Sequence, residues 1–158
     1  MEFSTFGRHV AIDTWGVNFE KLNDVDFLQS EMVKAANKSG ATVLSVQAQK
    51  FDPQGVTVLV MLSESHLSIH TYPERGFAAL DCYTCGHDVD PQVAIDYLVK
   101  VLQPGSTSAK ALRRGDGPIR DLVQNSTKDL FIKSLAQVSV FIEKLSVQKL
   151  LSPLKMSR

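Results

Sequence analysis

Apolar and polar positions along this 158-residue chain fall into blocks of two periods. Residues 7–17 (GRHVAIDTWGV) carry β-branched and aromatic side chains in a run compatible with a strand. Asn23 and Asp24 then offer capping side chains. Val25, Leu28, Met32, Ala35 and Ala36 recur at helical spacing until Gly40 stops the pattern. Two apolar runs, 42–51 and 55–63, flank Asp52-Pro53-Gln54-Gly55, where Pro followed closely by Gly is turn chemistry, so a hairpin is predicted. Two more strand-like segments, 66–72 and 76–84, flank Pro73-Glu74-Arg75-Gly76. Asp90 before Pro91 predicts an N-cap with proline at the first helical position. Val93, Ala94, Tyr97, Leu98, Val101 and Leu102 give that helix a core-facing stripe.

The predicted order is strand, helix, four strands, helix. Antiparallel strands joined by short turns, with two helices able to cover one face, specify the α+β class and a two-layer αβ sandwich. Residues 103–120 are richer in Gly, Ser, Lys and Arg and read as irregular or weakly extended. Residues 126–151 carry a further helical stripe (Leu130, Phe131, Leu135, Val138, Phe141, Ile142, Leu145), which predicts a helical extension, 126–158, on a body of 1–125.

Composition narrows the class. With 44% apolar and 22% charged residues the chain is not expected to be disordered, and its length supports a core without metal or disulfide staples. Seventeen Lys+Arg balance 17 Asp+Glu, which removes the electrostatic case for a nucleic-acid partner. The only two cysteines, Cys82 and Cys85, would close too short a loop for a bridge to constrain the unfolded chain much, so a reducing, cytoplasmic setting is expected. The N-terminus lacks the pattern of a signal peptide, and the longest near-apolar run, Val56 to Leu62, falls far short of the roughly 20 residues of a spanning helix. A soluble protein without a membrane partner is expected.

Reactive side chains are densest from Leu62 to Gly86. His66 and His70 in H-x3-H spacing, with Cys82 and Cys85 in C-x2-C spacing, suggest zinc. On a strand, however, four residues separate the two imidazoles by roughly 13 Å and alternate residues face oppositely, so no metal site is expected. Ser65, directly after Glu64 at the end of a β-rich run, is a second candidate. A serine hydroxyl needs a base or strain to become nucleophilic, and no G-x-S-x-G elbow or triad order accompanies it.

The segment SESHLSIHTYPERGFAALDCYTCGHDVDP, residues 63–91, closely resembles the signature of the small prokaryotic S-adenosylmethionine decarboxylase proenzymes. The resemblance extends from GRH at 7–9 through KSGA at 38–41 and KFDPQGV at 50–56 to the helix beginning at Asp90. It implies a self-processing enzyme. The Ser65 hydroxyl attacks the Glu64 carbonyl in an N-to-O acyl shift, and elimination then leaves a β chain, 1–64, and an α chain, 65–158, that starts with a pyruvoyl group made from Ser65. That cofactor would form a Schiff base with the substrate amine and accept the electrons released with carbon dioxide.

By the same resemblance His70 is the processing base, Cys85 donates the proton to the decarboxylated carbon, and Thr57 stands where the family often has a processing serine. Phe51 and His70 would sandwich the adenine, and Glu74 would bind ribose hydroxyls. Cys82 reads as a small buried residue and His66 as structural; Arg8 and His9 fall in a matching segment without a role. The implied assembly is a homodimer of αβ protomers forming a four-layer αββα sandwich with active sites near the interface. The implied product is decarboxylated S-adenosylmethionine, the aminopropyl donor of spermidine synthesis. Decarboxylation of arginine or ornithine on the same fold, or an unprocessed regulatory subunit, are the alternatives. The predicted products carry opposite side-chain charge, −3 for 1–64 and +3 for 65–158, while 126–158 alone carries +4.

Overall fold

The structure, a computed structural model, describes residues 5–122. The helical stripe read at 126–151 and the extension 126–158 lie outside the described residues.

One seven-stranded antiparallel sheet forms the body, in the order β2-β3-β4-β5-β1-β6-β7. Its strands are β1 (Gly7–Trp15), β2 (Val43–Lys50), β3 (Val56–Leu62), β4 (Ser65–Tyr72), β5 (Phe77–Cys85), β6 (Ser106–Arg114) and β7 (Arg120–Asp121). Three helices, α1 (Phe19–Asn23), α2 (Val25–Lys38) and α3 (Pro91–Leu102), join β1 to β2 and β5 to β6. The α+β sandwich expected from the sequence is what forms.

Alternation decides which side is core. In β3, β4 and β5 every second residue is buried: Val56, Val58, Val60 and Leu62, then Leu67, Ile69 and Thr71, then Ala78, Leu80, Cys82 and Thr84. These meet Leu28, Met32, Ala35 and Ala36 of α2 and Ala94, Ile95, Leu98 and Leu102 of α3 in one cluster. Each fully buried aliphatic side chain contributes about 1.5–3 kcal/mol. The helices are also joined by Tyr97 of α3 donating to Glu31 of α2 at 2.6 Å, and Lys34, one turn along α2, donates to the same carboxylate at 2.7 Å. These two bonds, Lys34's foremost, hold the Glu31 carboxyl below the usual carboxylate range.

Caps follow the sequence signals. Asp24 accepts the Phe27 N–H at the start of α2, and Asp90 accepts the Gln92 N–H at the start of α3, with Pro91 in the first turn. Asn23, read as a possible cap, ends α1 instead and accepts the Gly55 N–H. The short helix α1, capped by Asn18, was not anticipated.

Residues 103–120 require a larger correction. Ser106–Arg114 is a nine-residue strand that pairs with β1 along its whole length, Gly7 opposite Arg114 through Trp15 opposite Ser106. Its residues are mostly exposed. Backbone pairing therefore builds this strand without the apolar alternation by which strands are read from sequence.

Among the described residues the opposite face of the sheet carries no helix and keeps several large apolar side chains exposed, among them Trp15 at 40%, Leu59 at 48%, Met61 at 56% and Tyr72 at 44%. Cys82 and Cys85 lie on opposite faces of β5, the first buried and the second exposed. Burial foremost, with the charges of Asp90 and Asp81, pushes the Cys82 thiol up to about 12. No helix among the described residues is long and apolar enough to cross a membrane.

Two measurements check this arrangement. Iodoacetamide applied to native protein is expected to modify Cys85 and spare Cys82 until denaturant is added, as read by peptide mass spectrometry. Thr71, 2% exposed, accepts the Val56 N–H at 2.8 Å and donates to the Leu22 carbonyl at 2.8 Å. Thr71→Val strands both partners and is expected to cost about 1–3 kcal/mol in urea unfolding.

Candidate active site

The two-residue turn Ser63-Glu64 joins β3 to β4, with Leu62 paired to Ser65. Neither turn residue is glycine, and side-chain and main-chain bonds fix the turn from outside. The Ser63 N–H donates to the Thr42 carbonyl at 2.9 Å, and the Thr42 N–H donates to the Glu64 carboxylate at 3.0 Å. Glu64 is therefore held by both its side chain and its carbonyl, which accepts the Cys85 N–H at 2.9 Å. An amide aimed at that oxygen polarises the carbonyl and is placed to hold negative charge developing on it.

Ser65 follows with a φ of 155°, and only Gln103 shares a positive φ among the described non-glycine residues. Such a conformation costs on the order of 1–3 kcal/mol and persists only where surroundings impose it. The hydroxyl beside this strained bond lies 3.1 Å from Nδ1 of His66. Cys85, whose backbone holds the Glu64 carbonyl, closes the same end of β5.

Five residues farther along β4 is a second group. His70 pairs directly with Thr57, and the Thr57 hydroxyl lies 2.5 Å from the His70 Nδ1. The imidazole is flanked by Tyr72, with centroids 4.8 Å apart, and by Phe51 at 5.9 Å, both edge to face. Admitting a flat base between Phe51 and His70 would require one ring to turn. Glu74, in the 3-10 turn Pro73–Arg75, accepts a hydrogen bond from Gln54 at 3.0 Å and is exposed.

The residues singled out from the sequence thus divide into Glu64, Ser65 and Cys85 at one end of β4, and Phe51, Thr57, His70 and Glu74 at the other. At about 3.3 Å per residue, Ser65 and His70 stand roughly 16 Å apart along the strand. Between them the open face is hollow. A depression of about 500 Å³ borders Ser45, Gln47, Met61, Ser65, His66 and Ser68, and a neighbouring one of about 490 Å³ borders Gln49, Thr57 and Leu59.

Sequence reasoning gave Arg8, His9 and His66 no chemistry. Arg8 donates to the carbonyls of Val89 at 2.7 Å and His87 at 2.9 Å, clamping the loop that follows Cys85. His9 lies 3.1 Å from Asp81 and 3.3 Å from Arg114, whose guanidinium stacks on the Tyr83 ring at 4.5 Å. Gly7 permits that stack, because a Cβ there would lie 2.6 Å from the Tyr83 ring. These contacts join β1, β5 and β6, and β6 was the strand the apolar pattern did not reveal. Among the described residues no cluster of three or more His, Cys, Asp or Glu could hold a metal ion.

Known proteins match this arrangement across the described body. The S-adenosylmethionine decarboxylase family pattern matches residues 8–115. A protein of Brevibacillus brevis named S-adenosylmethionine decarboxylase proenzyme is 72% identical over 120 residues, covering 76% of this chain and 90% of that protein. One of the same name from Symbiobacterium thermophilum is 58% identical over 122 residues, covering 77% of this chain and 92% of that protein. The crystal structure of the adenosylmethionine decarboxylase from Aquifex aeolicus superposes with a TM-score of 0.68 at 34% identity, over 73% of this chain and 96% of that one. By sequence and by fold, the chain belongs to the S-adenosylmethionine decarboxylase family.

Proposed function

We propose that this chain is a proenzyme that cleaves itself between Glu64 and Ser65 and then decarboxylates S-adenosylmethionine, working as a homodimer whose open sheet faces meet. The observation that carries the reading is the strained Ser65, its hydroxyl 3.1 Å from His66, beside a Glu64 carbonyl held by the Cys85 N–H. Attack of Oγ on that carbonyl gives a five-membered ring and then an ester, with release of the Ser65 nitrogen. Removal of the Ser65 α proton then expels the Glu64 carboxylate, and the resulting dehydroalanine hydrolyses to a pyruvoyl group and ammonia. Residues 1–64 become the β chain and 65–158 the α chain. The pyruvoyl group supplies an electron sink for decarboxylation.

The separation of the two residue groups supports a dimer. His70, the proposed base for the α proton, lies too far along its own strand from Ser65 for a transfer that needs contact within about 3 Å. A twofold axis crossing the strands reverses their direction, so the His70 end of one copy can lie over the Ser65 end of the other. Such a contact is self-complementary and covers Leu59, Met61 and Tyr72. Each site would then take Glu64, Ser65 and Cys85 from one copy and Phe51, Thr57, His70 and Glu74 from its partner, giving the four-layer αββα assembly.

Within that site the roles follow side-chain chemistry. The Thr57 hydroxyl fixes the His70 ring through Nδ1 and keeps the other nitrogen available. Phe51 and His70 offer aromatic faces to adenine, and the exposed Glu74 offers a carboxylate to ribose hydroxyls. Cys85, on the open face, is placed to return a proton to the decarboxylated carbon. Cys82, buried on the other face, is not. Two free thiols and the absence of a bridge suit a cytoplasmic setting. Decarboxylated adenosylmethionine would feed aminopropyl transfer in polyamine synthesis.

Denaturing mass spectrometry of purified protein is expected to show two chains divided at Glu64-Ser65, the larger blocked by a carbonyl in place of its amine. Ser65→Ala should remain intact and release no carbon dioxide from adenosylmethionine; turnover by that variant would overturn the reading. Co-expression tests the shared site. Neither Ser65→Ala nor His70→Ala should be cleaved alone, whereas mixed dimers should cleave the His70→Ala chain, because its Ser65 meets an intact His70 from the other copy.

A further inference from the structure

The N-to-O acyl shift needs a group to take the Ser65 hydroxyl proton before any base acts on the α proton. Within its own chain Ser65 has one imidazole in hydrogen-bond contact. His66 Nδ1 lies 3.1 Å from Oγ, closer than the rise of the strand allows His70 to come. Glu64, the adjacent carboxylate, is engaged by the Thr42 N–H. Cys85 meets the reacting carbonyl through its backbone amide. The His66 ring itself is exposed on the open face, with Tyr83 across the ladder from it at a centroid separation of 6.1 Å.

We infer that His66 is a catalytic residue of self-cleavage, the base that accepts the Ser65 hydroxyl proton. The inference rests on the proenzyme reading above. For Nδ1 to accept, the neutral ring carries its proton on Nε2. As the Oγ–carbon bond forms at the Glu64 carbonyl, the Oγ proton passes to Nδ1 and the oxygen turned oxyanion is held by the Cys85 N–H. As the carbon–nitrogen bond of Ser65 breaks, the same proton returns from Nδ1 to the departing nitrogen. Bonds and protons balance without an added reagent, and the product is the ester with a free amine. Breaking that amide also releases the constraint that holds Ser65 at positive φ, which offsets part of the unfavourable exchange of an amide for an ester.

His66 therefore serves the precursor, since cleavage removes the hydroxyl it contacts. This separates it from His70, which is proposed for both cleavage and adenine binding. The sequence alone leads to a structural role for His66. At the start of β4, where Ser65 has its unusual backbone, the two side chains are in contact.

The test measures the rate of Glu64-Ser65 cleavage in freshly synthesised full-length precursor, by denaturing mass spectrometry against time. Wild type, His66→Ala and His66→Asn are compared, the last because an amide can hydrogen-bond near the position of Nδ1 but cannot act as a base there. A general base is worth about 10²–10⁴-fold, so both variants should cleave at least about 100-fold more slowly. Added imidazole should accelerate His66→Ala toward wild type and leave Ser65→Ala uncleaved. Cleavage of either variant at the wild-type rate, or slow cleavage of His66→Ala that imidazole does not accelerate, would overturn the assignment. A wild-type precursor that never cleaves would instead overturn the proenzyme reading.

Discussion

The bond from the Cys85 N–H to the Glu64 carbonyl is where the fold and the chemistry meet. It extends the β4–β5 ladder one step beyond the Ser65–Thr84 pair, so the register of two strands, and not a dedicated side chain, aims a donor at the carbonyl to be attacked. Every feature of the turn depends on that register. The carbonyl is fixed by β5, the Glu64 side chain by the backbone before β2, and Ser65 is left to absorb the misfit in its own dihedral. A slip of one residue would send the core face of β4 to solvent and remove the donor from the reacting bond together.

The same alternation explains why one face of the sheet is a core and the other carries the candidate site. Val58, Val60, Leu67, Ile69 and Leu80 fill the side under the helices. Their neighbours Thr57, His66, Ser68, His70 and Cys85 therefore share the uncovered side. The candidate side chains on these strands are held by ladder pairing along their length, which would suit chemistry requiring placement within about 0.5 Å. The cost is a broad, partly apolar face, which a second copy would cover in the proposed dimer.

Much of this was legible in the sequence for local reasons. Asp90-Pro91 indicated where α3 begins, the apolar runs and turn residues marked β2 to β5, and Cys82 was read as buried. The run from Ser63 to Pro91 carried the family signature, which the family match over residues 8–115 bears out. Three things were not legible. Ser106–Arg114 forms through backbone pairing with β1, and its Ser, Lys and Arg residues face solvent. The contact between Ser65 and His66 depends on one dihedral that no residue pattern encodes. The division of the site into two groups follows from the length of β4, since proximity in sequence along an extended strand still means distance in space.

The strand order has one more consequence. Residues 1–64 supply β1, β2 and β3, while β4, β5 and β6 come from beyond the proposed cleavage point, and β1 sits between β5 and β6. The two products would be interleaved, one fragment's central strand laddered on both sides by the other's. A precursor can find this arrangement as a single chain, with its loops limiting the search. Once cut and unfolded, the fragments must meet in solution first, so refolding becomes second order and recovery depends on protein concentration. Cleavage would then make the native topology easy to keep and hard to regain, and the order of events would be fixed: fold first, then cut.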